Sequence, residues 1–262
     1  MRNVRRAVVI TLVLLVPQYA MGEQAGAGGR GNPPANNGPN DLRTTNRTIY
    51  TGKTELFITF RPTFIVGETA RIGAHLSKLG DRFTPYSDNT VTVTLNVAGV
   101  DTKTSVPKPD RPGVFRLELT PTQAGIGNLT VDISGTDGSD RLVIPNITVY
   151  AAHADAVAHQ EPNNPDAGAI RYSKEMSWDE NEYASAPVAK VAVGGSPVLA
   201  VPQTAIVHVD GVPRVYVQRN PEAFDLKEVK TGKSNVVYVE ITQGLREGDR
   251  IVTRGGEKMP RQ

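Results

Sequence analysis

Cysteine is absent from all 262 residues of the chain, which excludes a disulfide framework and a lipid-anchored N-terminal cysteine. Histidine occurs four times and tryptophan once. There is no H-E-x-x-H, no G-x-S-x-G and no phosphate-binding loop, so the common metalloprotease, hydrolase and nucleotide chemistries have no anchor here. Of four methionines only Met176 falls in the expected folded body, too few soft ligands for a Cu(I) site. No long heptad stretch occurs either. An enzyme concentrates a nucleophile, an acid–base pair or a metal set in one place; this chain does not, and it reads as non-enzymatic. A strong charge of one sign is also lacking, with 29 basic against 27 acidic residues.

The first 22 residues carry Arg2, Arg5 and Arg6 ahead of the apolar run 7–16, then Pro17 and the small residues Ala20 and Gly22. This is the pattern of a signal peptide, expected to be cleaved after Gly22. The run is shorter than the roughly 18–20 residues that span a bilayer. Cleavage removes three arginines and no acids, leaving 26 basic and 27 acidic residues, so the exported chain offers no basic surface for nucleic acid. A cysteine-free exported chain suits a bacterial periplasm. The sequons at Asn46, Asn128 and Asn146 are then incidental to a threonine-rich β protein.

Residues 23–47 are dominated by Gly, Pro, Asn and Ala and read as a disordered leader. Gly26, Gly28 and Gly31 have the spacing G-x-G-x-x-G, but no strand precedes them and no helix follows, so the match is compositional. From 48 to 150 the chain switches to short alternating runs, ELFITF, VTVTLNV, VFRLEL, LTVDIS and LVIPNITVY, with Pro112-Gly113 and Asp137-Gly138 between them. Strands of this number and spacing predict an antiparallel, immunoglobulin-like β-sandwich. Residues 151–195 read as a linker and connecting segment. Residues 196–256 alternate again, in TAIVHV, RVYVQ, LKEV, VVYVEI and RIVTRG, and predict a small five- or six-stranded β domain, followed by a tail, 257–262. The fold class expected is all-β, in two domains.

Within the linker, His153, Asp155, His159 and Glu161 combine imidazole and carboxylate, the ligands of Zn²⁺ and similar divalent ions. The spacing imposes no ligand geometry, so at most weak divalent-cation binding is expected, and no resident cofactor. His75 and His208 lie in or beside apolar strand patterns and read as structural.

Two blocks resemble the periplasmic adaptor subunits (membrane fusion proteins) of RND-type efflux pumps. Residues 54–99 and 111–133 look like the extra N-terminal β domain of the heavy-metal branch, and IRYSKEMSWDENEYASAPV like the segment by which those adaptors enter their body. Residues 198–258 look like their C-terminal, membrane-proximal domain. The motifs V-P-x-x-A-[IV]-V, F-x-x-x-x-V-x-x-G and G-L-x-x-G-D-x-[IV]-V stand at 201–207, 224–232 and 244–252. Between SAPV and VLAVP a family member would hold a lipoyl-like domain, a long helical hairpin and most of a β-barrel; here a handful of residues stand there. The resemblance implies a non-enzymatic periplasmic protein, peripheral to the inner membrane and internally shortened. Its implied partners are an inner-membrane RND-type pump, with heavy-metal cations as the substrate class that this branch implies, and a full-length adaptor. It implies no nucleic acid and no membrane-spanning segment after signal cleavage. Two other classes remain open at this point: a periplasmic metal-buffering protein using the four ligands above, and a generic β-sandwich interaction module.

Overall fold

In NTVTVTLNV, every second residue, Val91, Val93, Leu95 and Val97, is buried, and the threonines between them stay partly exposed. Period-2 alternation of this kind sends one row of side chains into a core and the other outward. A computed structural model describes residues 42–80, 83–160, 166–173 and 183–261, all within one unit, Ala35–Gln262. The expected signal peptide, most of the leader, Glu161 and Trp178 lie outside the described residues.

The first nine strands are β1 (Thr45–Tyr50), β2 (Thr54–Arg61), β3 (Ala70–Lys78), β4 (Thr84–Pro85), β5 (Asn89–Val97), β6 (Val100–Val106), β7 (Val114–Leu119), β8 (Gly125–Gly135) and β9 (Asp140–Val149). They form two antiparallel sheets. In one, β1-β2-β3 continues to β7 and the short β4; in the other the order is β6-β5-β8-β9. The chain passes between sheets so that β3 pairs with β7 and β5 with β8, the cross-connected arrangement of immunoglobulin-like sandwiches, with β1 as an added edge. Registered pairs such as Leu56↔Leu76, Ile72↔Leu117 and Leu95↔Leu129 point into one continuous core. Apolar packing holds the sheets without any disulfide.

The segment expected as linker and connection has structure of its own. It contains the helix α1 (His153–His159), then β10 (Ile170–Arg171), β11 (Ala184–Pro187) and β12 (Ala189–Val193). Its polar composition hid these elements because each buries few residues: Ala156 in α1, Ile170 in β10, Ser185 in β11. The remaining strands are β13 (Ser196–Pro202), β14 (Val207–Val209), β15 (Val212–Asn220), β16 (Ala223–Glu228), β17 (Lys230–Ser234), β18 (Tyr238–Gln243) and β19 (Arg250–Arg254). They form a sheet β10-β16-β15-β19-β11, with β14 on β15, and a second sheet β12-β13-β18-β17. Asp210-Gly211 turns β14 into β15 with φ of 53° and 78°, the positive pair that a two-residue hairpin needs. Among the described residues, no helix is long and apolar enough to cross a membrane.

Candidate functional site

The sheet built around β15 is buried on both faces. Val215, Val217 and Ile251 face the second sheet, where Val201, Val239 and Ile241 meet them. Tyr216, Phe224 and Val252 face the other way and are covered by Ile170, Tyr172, Tyr183 and Met259. The residues that precede the expected C-terminal domain therefore complete its core. Strand β11, the ASAP run, pairs with β19, and Arg250 donates from Nε to Ser185 Oγ and from its terminal nitrogen to the Ser185 carbonyl, both at 3.0 Å.

This C-terminal region sits on the outer face of β1-β2-β3. Strand β2 shows it: Leu56, Ile58 and Phe60 enter the sandwich core, yet Glu55 and Phe57, of opposite parity, are buried too. Glu55 is fully buried at 0 % exposure. Tyr50 Oη donates to Glu55 Oε2 at 2.9 Å and accepts from Gln218 Nε2 at 2.7 Å. The Arg250 guanidinium lies 3.6 Å from the centroid of the Tyr50 ring, a cation–π stack. Beside this, His75 Nδ1 approaches Glu222 Oε1 to 3.3 Å, and Phe57 meets the His75 ring edge-on at 5.7 Å. Burial, then the neighbouring Glu55, pushes the Tyr50 phenol far above its ordinary range, and the fully buried Tyr183 is raised by the same two causes. Both phenols therefore stay neutral hydrogen-bond donors. The junction is a polar lock that fixes how the C-terminal region is presented. Its members come from β1, β2, β3, β11, β15 and β19 and from Glu222, and no local motif announces them.

The four candidate metal ligands are arranged differently. His153 Nδ1 stands 3.2 Å from Glu68 Oε1, on the loop before β3. His159 donates from Nδ1 to the Asp155 carbonyl at 2.7 Å and stacks on Tyr150. Glu161 lies outside the described residues. Six residues of α-helix advance about 600°, which leaves His153 and His159 about 120° apart around α1, and each ring is engaged by a different group. Among the described residues no three of His, Cys, Asp or Glu gather into a set that could hold a metal. Of the other histidines, His75 sits in the junction and His208 is exposed.

The three C-terminal motifs occupy structural positions. Val201, Ala205 and Val207 are buried, as are Phe224, Val229, Ile251 and Val252. Gly244 adopts φ +105°, where an added Cβ would stand 2.5 Å from the Glu228 carbonyl oxygen. These residues specify a fold, and the comparison agrees with that reading. Residues 199–256 match the CzcB C-terminal circularly permuted SH3-like domain. The match supports the adaptor resemblance and leaves the sandwich outside it. No curated protein and no solved structure matches the chain. Within the CzcB-like domain the hairpin between β17 and β18 presents Val236, 95 % exposed, on a turn pinned by Asn235 Oδ1, which accepts from the Val237 and Tyr238 amides.

Where the resemblance would place the central modules of an adaptor, the chain makes a hairpin. Strand β12 pairs with β13 from Ala189↔Ala200 to Val193↔Ser196. Gly194 and Gly195 alone close it, with φ of 67° and 117°, both in the region that glycine reaches without strain.

Proposed function

We propose that the chain is a non-enzymatic, periplasmic adaptor-like subunit of an RND-type efflux system, serving a heavy-metal cation pump and internally shortened. The observation that carries this reading is the match of 199–256 to the CzcB C-terminal domain, on a chain whose β12–β13 connection is a closed two-residue hairpin. Reach is the physical argument. An α-helix rises about 1.5 Å per residue, so a hairpin arm of about 30 residues extends about 45 Å. Residues 189–197 are spent on a β-hairpin and supply no such arm. The protein then engages an inner-membrane pump through the CzcB-like domain but does not bridge to an outer-membrane channel.

The test is a paired one. The full chain, expressed with its cognate pump, is expected to co-purify with it, in competition with a full-length adaptor. In a strain lacking that adaptor it is expected not to restore metal efflux. Restored efflux would overturn the shortened-adaptor reading, and a correctly folded chain that binds no pump would overturn the adaptor reading altogether.

A further inference from the structure

We propose that the turn between β17 and β18 is a membrane-contact tip, which sets two valines into the surface of a bilayer rich in anionic lipid. The turn contradicts its own residue types. Gly, Asn, Asp and Ser favour tight turns and β-branched residues favour strands, yet Val236 and Val237 stand at the apex, 95 % and 56 % exposed. The backbone beneath them is held from both sides. Asn235 donates from its amide to the Tyr238 carbonyl at 2.9 Å, and its Oδ1 accepts from the Val237 and Tyr238 amides at 2.9 and 2.7 Å. From the end of β13, the Gln203 amide donates to the Val237 carbonyl at 2.9 Å and Gln203 Nε2 donates to the Asn235 carbonyl. The valines are therefore presented on a fixed turn instead of folding back onto the domain. A local rule broken without gain to the fold points to function.

The charges around the tip select the partner. Strand β17, exposed throughout, carries Lys230 and Lys233 and no acid. Glu240 on β18 accepts from the Lys233 amide at 3.0 Å, and with two lysines against this one glutamate the hairpin 230–243 keeps a net positive charge. Beneath the turn, Thr204 donates to the Thr253 carbonyl at 2.6 Å, which brings Arg254, the next residue, to the same end of the domain; Glu257 and Lys258 beyond it offset each other. The other exposed large hydrophobics among the described residues, Val100, Ile126 and Val143, lie on the sandwich. Two valines fall far short of the roughly 800 Å² that each partner buries in a stable protein–protein interface. A bilayer asks for no matched area. A small convex apolar wedge enters the headgroup–acyl boundary while lysines meet anionic headgroups, two weak contributions that suffice only together. The inference deepens the reading of a protein peripheral to the inner membrane by naming the contact, and the vesicles of its test contain no pump, so failure there leaves pump binding standing.

The test uses the chain from residue 23 on, the expected exported form, with vesicles of phosphatidylglycerol and phosphatidylethanolamine, and phosphatidylcholine vesicles as the neutral control. Because the chain has no cysteine, Val236→Cys takes a single polarity-sensitive NBD label, and Val143→Cys on the sandwich takes the same label as a reference. The label at 236 is expected to shift to the blue and brighten with the anionic vesicles, and the label at 143 to stay unchanged. In co-sedimentation, Val236→Asp is expected to weaken binding about tenfold or more, and Lys233→Gln about fivefold. Neutral vesicles are expected to bind at least about tenfold more weakly than anionic ones. Both side chains are exposed, so circular dichroism should find the variants folded, and Lys233→Gln carries the test if Val236→Asp is not. The proposal is overturned by a label at 236 that anionic vesicles leave unmoved, by neutral vesicles binding as tightly as anionic ones, or by folded variants that bind like the parent. A label that responds to the cognate pump in neutral-lipid nanodiscs but not to anionic vesicles would also overturn it, assigning the tip to a protein pocket.

Discussion

Replacing Tyr50 by Phe removes one oxygen from the junction and little else, because the ring that Arg250 stacks upon is retained. That oxygen donates to Glu55 and accepts from Gln218. Glu55 has no exposed surface, so water does not replace the lost donor. A net hydrogen bond contributes about 0.5–1.5 kcal/mol, and leaving a buried polar group without its partner costs about 1–3 kcal/mol. The substitution removes one bond on each side of the oxygen, and a loss of about 2–4 kcal/mol follows. For a chain of this size each kcal/mol moves Tm by about 2–4 °C, so a fall of roughly 5–15 °C is expected. Urea and thermal unfolding followed by circular dichroism read it directly. The companion variant Gln218→Met removes the amide at similar volume. In a double-mutant cycle the pair should cost at least about 0.5 kcal/mol less than the sum of the singles, as contacting residues do. A Tyr50→Phe loss below about 0.5 kcal/mol, the range of an ordinary surface change, would refute the view that this junction is a lock. Additivity within error would refute the Tyr50–Gln218 link.

Acid should weaken the sandwich. Hydrogen bonds from the Ser87 amide and Lys78 hold Asp137 below its ordinary 3.8, and Asp140 is lowered too, its bonds from Thr51, Thr54 and the Arg141 amide outweighing the opposing effect of burial. Depressed folded-state values mean stability that is fully present above the unfolded value and is lost as pH falls through the folded one. The urea midpoint should hold from neutrality to about pH 5 and drop below about 4, and Asp137→Asn should flatten that limb; a midpoint unchanged down to pH 3 would contradict it. Gly244→Ala meets both a positive φ and the Glu228 carbonyl, whereas Gly248→Ala meets only φ +89° in open space. Urea titration should find the first costlier by at least about 1 kcal/mol; equal losses would count against the close approach. Calorimetry with Zn²⁺ should show weak binding, since among the described residues no three of His, Cys, Asp or Glu gather into a ligand set. Tight binding abolished by His153→Ala with His159→Ala would favour metal buffering.

Strand β5 was legible because its neighbours on both sides are in the same sheet and its outer face meets solvent, so parity alone sorts its residues. Strand β2 was legible as a strand, but its second buried row was not, because its outer face is covered from a region more than 100 residues away, where Gln218 and Arg250 meet the Tyr50 side chain that bonds to Glu55. The TAIVHV run reads as one strand, but residues Gln203–Ala205 form a 3-10 turn and only Val207–Val209 are extended; a buried Ala205 serves either geometry. The polar lock was invisible for a related reason. Tyr50 and Gln218 stand 168 positions apart, and nothing in the pattern around either residue marks a buried oxygen. The C-terminal motifs were recognised through the family resemblance, and the structure assigns their fixed positions largely to buried residues such as Val201, Val207 and Phe224 and to Gly244 and Gly248, whose positive φ suits glycine.

The β12–β13 hairpin bears on how such chains gain and lose modules. Val193 and Ser196 face each other across the ladder, so the strand ends on either side of the two glycines lie only about 5 Å apart. A gate of that width accepts any insert whose own termini meet, and the entropy of closing a loop rises by only about 0.6 kcal/mol for each doubling of its length. Splicing a whole domain in or out at Gly194-Gly195 thus leaves β12, β13 and their partner β18 in register. Deletion of a long arm in evolution, or grafting of one by design, changes what this scaffold can reach without asking it to refold.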